Sequence, residues 1–184
     1  MLLLDSSYCN LLFKVMSMNE RFYYEFYKYI EPIINHSEFQ KLKGIDHHGI
    51  TRYDHCLRVA YYSFLVTKVL HLHCRETTEA ALLHDFFTDE VKNENGFLKL
   101  CKHPGFAVKN AKKFFSLTPL QEDIISSHMF PITLVPPKYI ESWIVDFVDD
   151  ISAIYERVLT TRKQLAAACT FLFLLFLNFI RMSY

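Results

Sequence analysis

The sequence predicts an all-α fold, on three observations. Apolar residues recur at three- and four-residue spacing along most of the chain, and no segment alternates apolar and polar residues as a half-buried strand would. Glycine and proline are scarce, at four and six in 184 residues. Half of the residues are hydrophobic and 16% are aromatic, which argues against disorder and supplies one sizeable core.

Each element follows from its local pattern. Asn19 is placed to cap a helix over 19–35, with Phe22, Phe26, Tyr29 and Ile33 at helical spacing. Residues 1–18 read as a short extension, apolar but interrupted by Asp5 and lacking the basic leader of a signal peptide. A short helix over 37–43 precedes the loop KGIDHHGI, bracketed by Gly44 and Gly49. Thr51 or Asp54 starts the next helix, which carries Val59, Tyr62, Val66 and Val69 inward as far as about His71. A helix over 75–87 follows, and the polar TDEVKNENG reads as a surface loop. Pro104 suits the first turn of a helix ending near Phe115. Thr118-Pro119 opens another, ending near His128, and after three prolines a long helix runs over 138–162. The expected organisation is an extension (1–18), one helical domain (19–163) and a hydrophobic C-terminal helix (164–184).

That last helix contains LAAACTFLFLLFLNFI at 165–180, apolar on every side, so it is either buried or in lipid. Sixteen residues at 1.5 Å each cover about 24 Å, short of the roughly 30 Å hydrocarbon core. A buried or oligomer-forming helix is the first expectation and membrane contact the second, with Arg162, Lys163 and Arg181 able to snorkel. Tyr23, Tyr24 and Tyr27 hint at a partner surface.

Lys+Arg and Asp+Glu balance at 20 each. No global basic field points to nucleic acid, so an anionic ligand must be held locally. Five scattered cysteines without a CxxC pair read as reduced thiols of a cytoplasmic protein.

The chemistry lies in polar residues set in apolar helical runs: His55 in TRYDHCLRVAYY, His84-Asp85 in EAALLHDFF and Asp149 in WIVDFVDDISAIYE. An ionised carboxylate in such a setting is costly unless something pairs with it. One divalent cation would answer the whole set.

This H…HD…D pattern resembles the HD superfamily of metal-dependent phosphohydrolases, all-helical bundles with a metal site at their centre. The match covers roughly residues 45–160 and includes KGIDHHGITRYDHCLRVAYYSFLVTK and KHPGFAVKNA. It looks closest to small bacterial HD proteins. His103 lies 18 residues after Asp85, and His128 lies 25 after His103. That adds an H…H insertion like that of HD-type diadenosine tetraphosphate hydrolases and HD-GYP phosphodiesterases. The resemblance implies that His55, His84, Asp85 and Asp149 hold one metal, and that Asp85, His103 and His128 hold a second, with Asp85 bridging. Read without it, His103 is an N-terminal helix residue and His128 a C-terminal one favoured by the helix dipole. Imidazole and carboxylate without thiolate suit iron, manganese or a similar ion. Three departures limit the transfer of substrate: HDFFTDE lacks the lysine of HDxxK, the GYP triplet is missing, and Val148-Asp149-Asp150 stands where many relatives read ADK.

Around this set, Arg52 and Arg58 lie three residues either side of His55, placed to bind a phosphate or to pair with Asp54 or Asp146. His47 and His48 are candidate substrate contacts or part of a solvated loop. Lys109, with Lys112 and Lys113, draws in an anion or is a solvated face. Asp146 shares a face with Asp149 and can orient a ligand or pair with an arginine.

The expected activity is hydrolysis of a nucleotide or other small phosphoester by metal-activated water, with Asp85, Arg52 and Arg58 as catalytic candidates. The alternative is a weakly catalytic module that senses a nucleotide or metal. An oxygenase with similar ligands is a third. The expected partners are the small phosphoester, a second copy of the chain and, through 165–180, a membrane; none is a nucleic acid.

Overall fold

The computed structural model describes residues 6–47, 49–88 and 96–182. It is helical almost throughout, as expected. At its centre α3 (Arg52–Val69) packs on α4 (Cys74–Leu83). α3 is started by Thr51, whose hydroxyl accepts the Asp54 N–H at 3.1 Å. It stops where His71 adopts φ of 56°, the left-handed conformation that ends many helices. Cys56, Val59, Ala60 and Phe64 form its buried stripe, facing the unbroken apolar run Ala80–Leu83 of α4. α4 is shorter than expected. The Phe86 and Phe87 N–H groups bond back to Leu83 and Asp85 carbonyls in tight turns, so His84 and Asp85 lie at the helix end, not within it.

α1 (Ser6–Ile34) lays Phe26, Ile30 and Ile33 on this pair, and the Phe26 ring sits 5.2 Å from Tyr61 and 5.5 Å from Phe64. It begins well before the expected cap at Asn19, because neither glycine nor proline occurs between 6 and 31 to interrupt it. Tyr23 and Tyr24 face solvent. The expected second helix is a single turn, α2 (Ser37–Gln40), followed by a 3-10 turn (Lys41–Gly44).

The segment expected as a loop pairs β1 (Asp46–His47) with β2 (Ile50–Thr51) in a small antiparallel hairpin. Gly49 turns it with φ of 86°, and a Cβ there would meet the Thr160 side chain at 2.7 Å. Glycine therefore lets the hairpin lie directly on the last helix.

α5 (Gly96–Phe114) starts before Pro104, which sits inside it; the missing N–H removes one hydrogen bond without ending the helix. α6 (Pro119–Ser127) begins with a capping box in which Thr118 and Gln121 satisfy each other's backbone N–H groups. α7 (Ile140–Met182) is one continuous helix of 43 residues, about 64 Å long. Nothing in the sequence breaks it at the expected boundary near 163. Its start is tied to α6 by Asp123, whose buried carboxylate accepts the Lys138 N–H at 2.9 Å and the Ser142 hydroxyl at 2.7 Å. Among the described residues, no helix is long and apolar enough to cross a membrane, and Cys56, Cys74 and Cys101 are free thiols.

Phe64→Ala is expected to lower unfolding free energy by about 3–5 kcal/mol, through lost transfer energy and a cavity beneath α1, measured by urea denaturation. A second expectation concerns His73, which precedes α4 and lies 2.7 Å from the Glu141 carboxylate. The bond to Glu141 raises the His73 pKa. Burial pushes Glu141 up, but the bond to the His73 ring, backbone N–H donors and the His73 charge together outweigh it and hold Glu141 below its usual value. The His73 share of stability is present at low pH and fades as pH rises through its raised pKa. The Glu141 share fades as pH falls through its lowered one. The melting-temperature difference between wild type and His73→Ala should therefore peak near about pH 5–6 and shrink towards about pH 9.

Candidate metal centre

Five helices each bring a polar side chain to one buried place. His55 comes from the first turn of α3, His84 and Asp85 from the end of α4, and His103 from within α5. His128 follows the end of α6, and Asp149 lies in the third turn of α7. All six are buried.

The helix ends set the orientation of the rings. His84 Nδ1 folds back to the Ala81 carbonyl at 2.7 Å, and His128 Nδ1 to that of Ile125 at 2.8 Å. Only a protonated nitrogen donates to a carbonyl, so in both rings Nδ1 carries a proton and Nε2 is the nitrogen directed inward, a ligand atom whenever the ring is neutral. His55 Nδ1 is held instead by Glu156, whose two oxygens lie 3.0 and 3.1 Å away. The Glu156 side chain is 0% exposed and also pairs with Arg58.

The inward atoms crowd together. His55 Nε2 is 2.9 Å and His84 Nε2 3.5 Å from Asp149 Oδ1. His103 Nε2 is 2.9 Å from His128 Nε2 and 3.2 Å from Asp85 Oδ1. Three overlapping groups, His55-His84-Asp85, His84-His128-Asp149 and Asp85-His103-His128, each keep their ligand atoms within 4.8 Å of one another.

The electrostatics call for positive charge. Burial works against ionisation of Asp85, yet the imidazoles of His103 and His84, with Arg52, hold its carboxyl well below the usual range. Asp149 is likewise held down by His84 and His55 against its burial. His55 is pushed up to about 10 despite its burial, by hydrogen bonds to Asp149 and Glu156. Burial, with His103 and His84 nearby, lowers His128 to about 3. His84 Nε2 and Asp85 Oδ1 are buried with no well-directed hydrogen bond, only ion-pair contacts to Asp149 at 3.5 Å and His103 at 3.2 Å. Two buried carboxylates beside inward-facing imidazole nitrogens, which lose their protons to ligate, make a nitrogen and oxygen donor set that fits a divalent cation.

His55, Asp85, His103 and Asp149 of the cluster line a cleft of about 560 Å³. Arg52, His47 and Arg157 line it beside the apolar Phe87, Leu100 and Ile132. Arg52 is buried, stacks 3.8 Å over the Phe87 ring, donates to the Phe87 carbonyl at 2.7 Å and sets its Nε 3.6 Å from Asp85. His47 Nδ1 is 3.8 Å from Asp85, and its ring lies 4.2 Å from that of His55.

Other candidates fall elsewhere. Arg58 is turned to Glu156, away from the cleft, because a buried carboxylate demands a cation more strongly than solvent does. Lys109 is exposed on α5, six residues past His103 and so on a different face, and does not line the cleft. Among the described residues no arginine pairs with Asp146: its Oδ1 is buried without a hydrogen bond, and burial, with Asp150 and Asp149 close by, raises it to about 7. His48 lies outside the described residues.

Sequence reasoning missed Glu156, Phe87 and Arg157. A signal for the first was present, since Glu156 follows Asp149 by seven residues and so shares its helix face.

The family model of the HD domain matches residues 52–154, more than half of the chain. No curated protein and no solved structure matches it. The matched span begins at Arg52 and encloses His55, His84-Asp85 and Asp149, and the chain belongs to the HD domain family, whose members are generally metal-dependent hydrolases of the phosphohydrolase type.

Proposed function

We propose that the protein hydrolyses a nucleotide or another small phosphoester at this centre. One observation carries the reading: four of the candidate ligands, His55, Asp85, His103 and Asp149, line a single cleft together with Arg52. His55, His84, Asp85 and Asp149 would hold one divalent ion, and Asp85, His103 and His128 a second. Such an ion supplies Lewis acidity, lowering the pKa of water and polarising a phosphoryl oxygen.

The chain's own groups supply the rest. Asp85, fixed between Arg52 and the imidazoles, orients the attacking water in line with the scissile P–O bond. Water adds to phosphorus, the P–O bond to the leaving group breaks, and the water proton is taken up at a carboxylate or passed to the leaving oxygen. Arg52 sets positive charge beside the phosphoryl oxygens as theirs becomes more negative. The Phe87 and Ile132 side of the cleft gives an apolar surface for a base or other organic group. With no HDxxK lysine after Asp85, His47 and Arg157, which line the cleft, are candidates to contact the phosphate.

Asp85→Asn is expected to lower hydrolysis of nucleotides or a generic phosphoester by at least about a hundredfold and to abolish metal retention, with the helical circular dichroism unchanged. Unaltered turnover in that variant would sink the assignment. Tight nucleotide binding by a metal-loaded wild type that never turns over would favour the sensing role. Glu156→Gln keeps shape but removes the carboxylate that fixes His55. Its affinity for manganese, measured by competition with a chelating dye, should fall by about 10–100-fold while thermal stability of the metal-free protein changes far less.

A further inference from the structure

α7 makes opposite demands on its two faces. Val145, Val148, Ser152 and Glu156 turn into the domain and are buried. On the other side Ile140, Phe147, Ile151, Ile154, Val158 and Leu165 stand exposed, Phe147 by 64% and Leu165 by 65%. Their separations of seven, four, three, four and seven residues keep a heptad register, with Ile144 and Thr161 at the two skipped positions. A stripe at a period of 3.5 is the seam of a helix packed lengthwise on another helix. A membrane-spanning helix would be apolar all round, whereas this stretch carries Asp150, Arg157, Arg162 and Lys163 beside the seam. No other described element covers the stripe.

We propose that the stripe pairs with the same stripe of a second copy of this chain, the two α7 helices running antiparallel. Antiparallel pairing about a two-fold axis matches the seam to itself. Ile151 meets the partner's Ile154, Phe147 the partner's Val158, and Ile140, where the helix begins, the partner's Leu165. Along the same edge Asp150 comes opposite the partner's Arg157, and by symmetry this ion pair forms twice. Parallel pairing would set Arg157 against the partner's Arg162, a like-charge contact. Charge order thus selects both the occupant and its direction. Asp150, Ile154 and Arg157 also line the cleft, so the partner's helix runs beside its opening.

The test is sedimentation velocity of the full chain at micromolar concentration. A dimer is expected. Ile151→Asp with Ile154→Asp should give a monomer of unchanged helical content, and Val158→Asp alone should do the same if the double variant misfolds. Asp150→Lys should weaken dimerisation by about tenfold, and Asp150→Lys with Arg157→Asp should restore it. A monomeric wild type, a dimer indifferent to the seam variants, or an association unchanged by Asp150→Lys would overturn the proposal. Monomers that float with phosphatidylcholine vesicles would overturn it in favour of a membrane surface.

Discussion

The structure depends on the burial of two carboxylates among imidazoles. Asp85 and Asp149 are removed from water, and each is kept ionised only by what surrounds it. An unpaired buried charge costs several kcal/mol, as much as a typical domain can spare. The fold meets this cost by converging five helices on the pair, and the convergence leaves His84 Nε2 and Asp85 Oδ1 without a well-directed hydrogen bond. A divalent cation would complete the arrangement, and under the proposed function that charge would also attract an anionic ester.

Helix ends carry much of this design. His84 and His128 both sit just past a helix terminus, and both use an Nδ1 bond to a carbonyl three residues back. The two rings are aimed by backbone alone. His55 lies inside a helix, where no carbonyl is free, and it is aimed by Glu156 instead. Glu156 in turn is neutralised by Arg58. Orientation of the centre thus runs from the surface to the core along Arg58, Glu156 and His55. Because Glu156 and Asp149 share α7, that helix supplies both a ligand and the clamp on a ligand from another helix.

Much of this was legible in the sequence. The helical period and Thr118-Pro119 marked α6 closely, and the apolar setting of His84-Asp85 marked a buried polar site. The rest depends on contacts between elements that no local pattern encodes. α1 and α7 outran their expected limits because a capping residue such as Asn19 is permissive, not obligatory, and neither glycine nor proline interrupts the chain at those limits. Arg58 looked like a phosphate ligand because it shares a face with His55; only the third dimension shows that Glu156 claims it. The hairpin at Gly49 was invisible for the same reason, since its two-residue strands are set against α7 and not by their own propensity.

The most direct test of the central claim is elemental analysis of the full chain purified without oxygen. The account predicts one or two divalent ions per chain. A folded protein that carries none, and takes up none when iron or manganese is returned to it, would contradict the account, because the buried charges would then be balanced by protons alone.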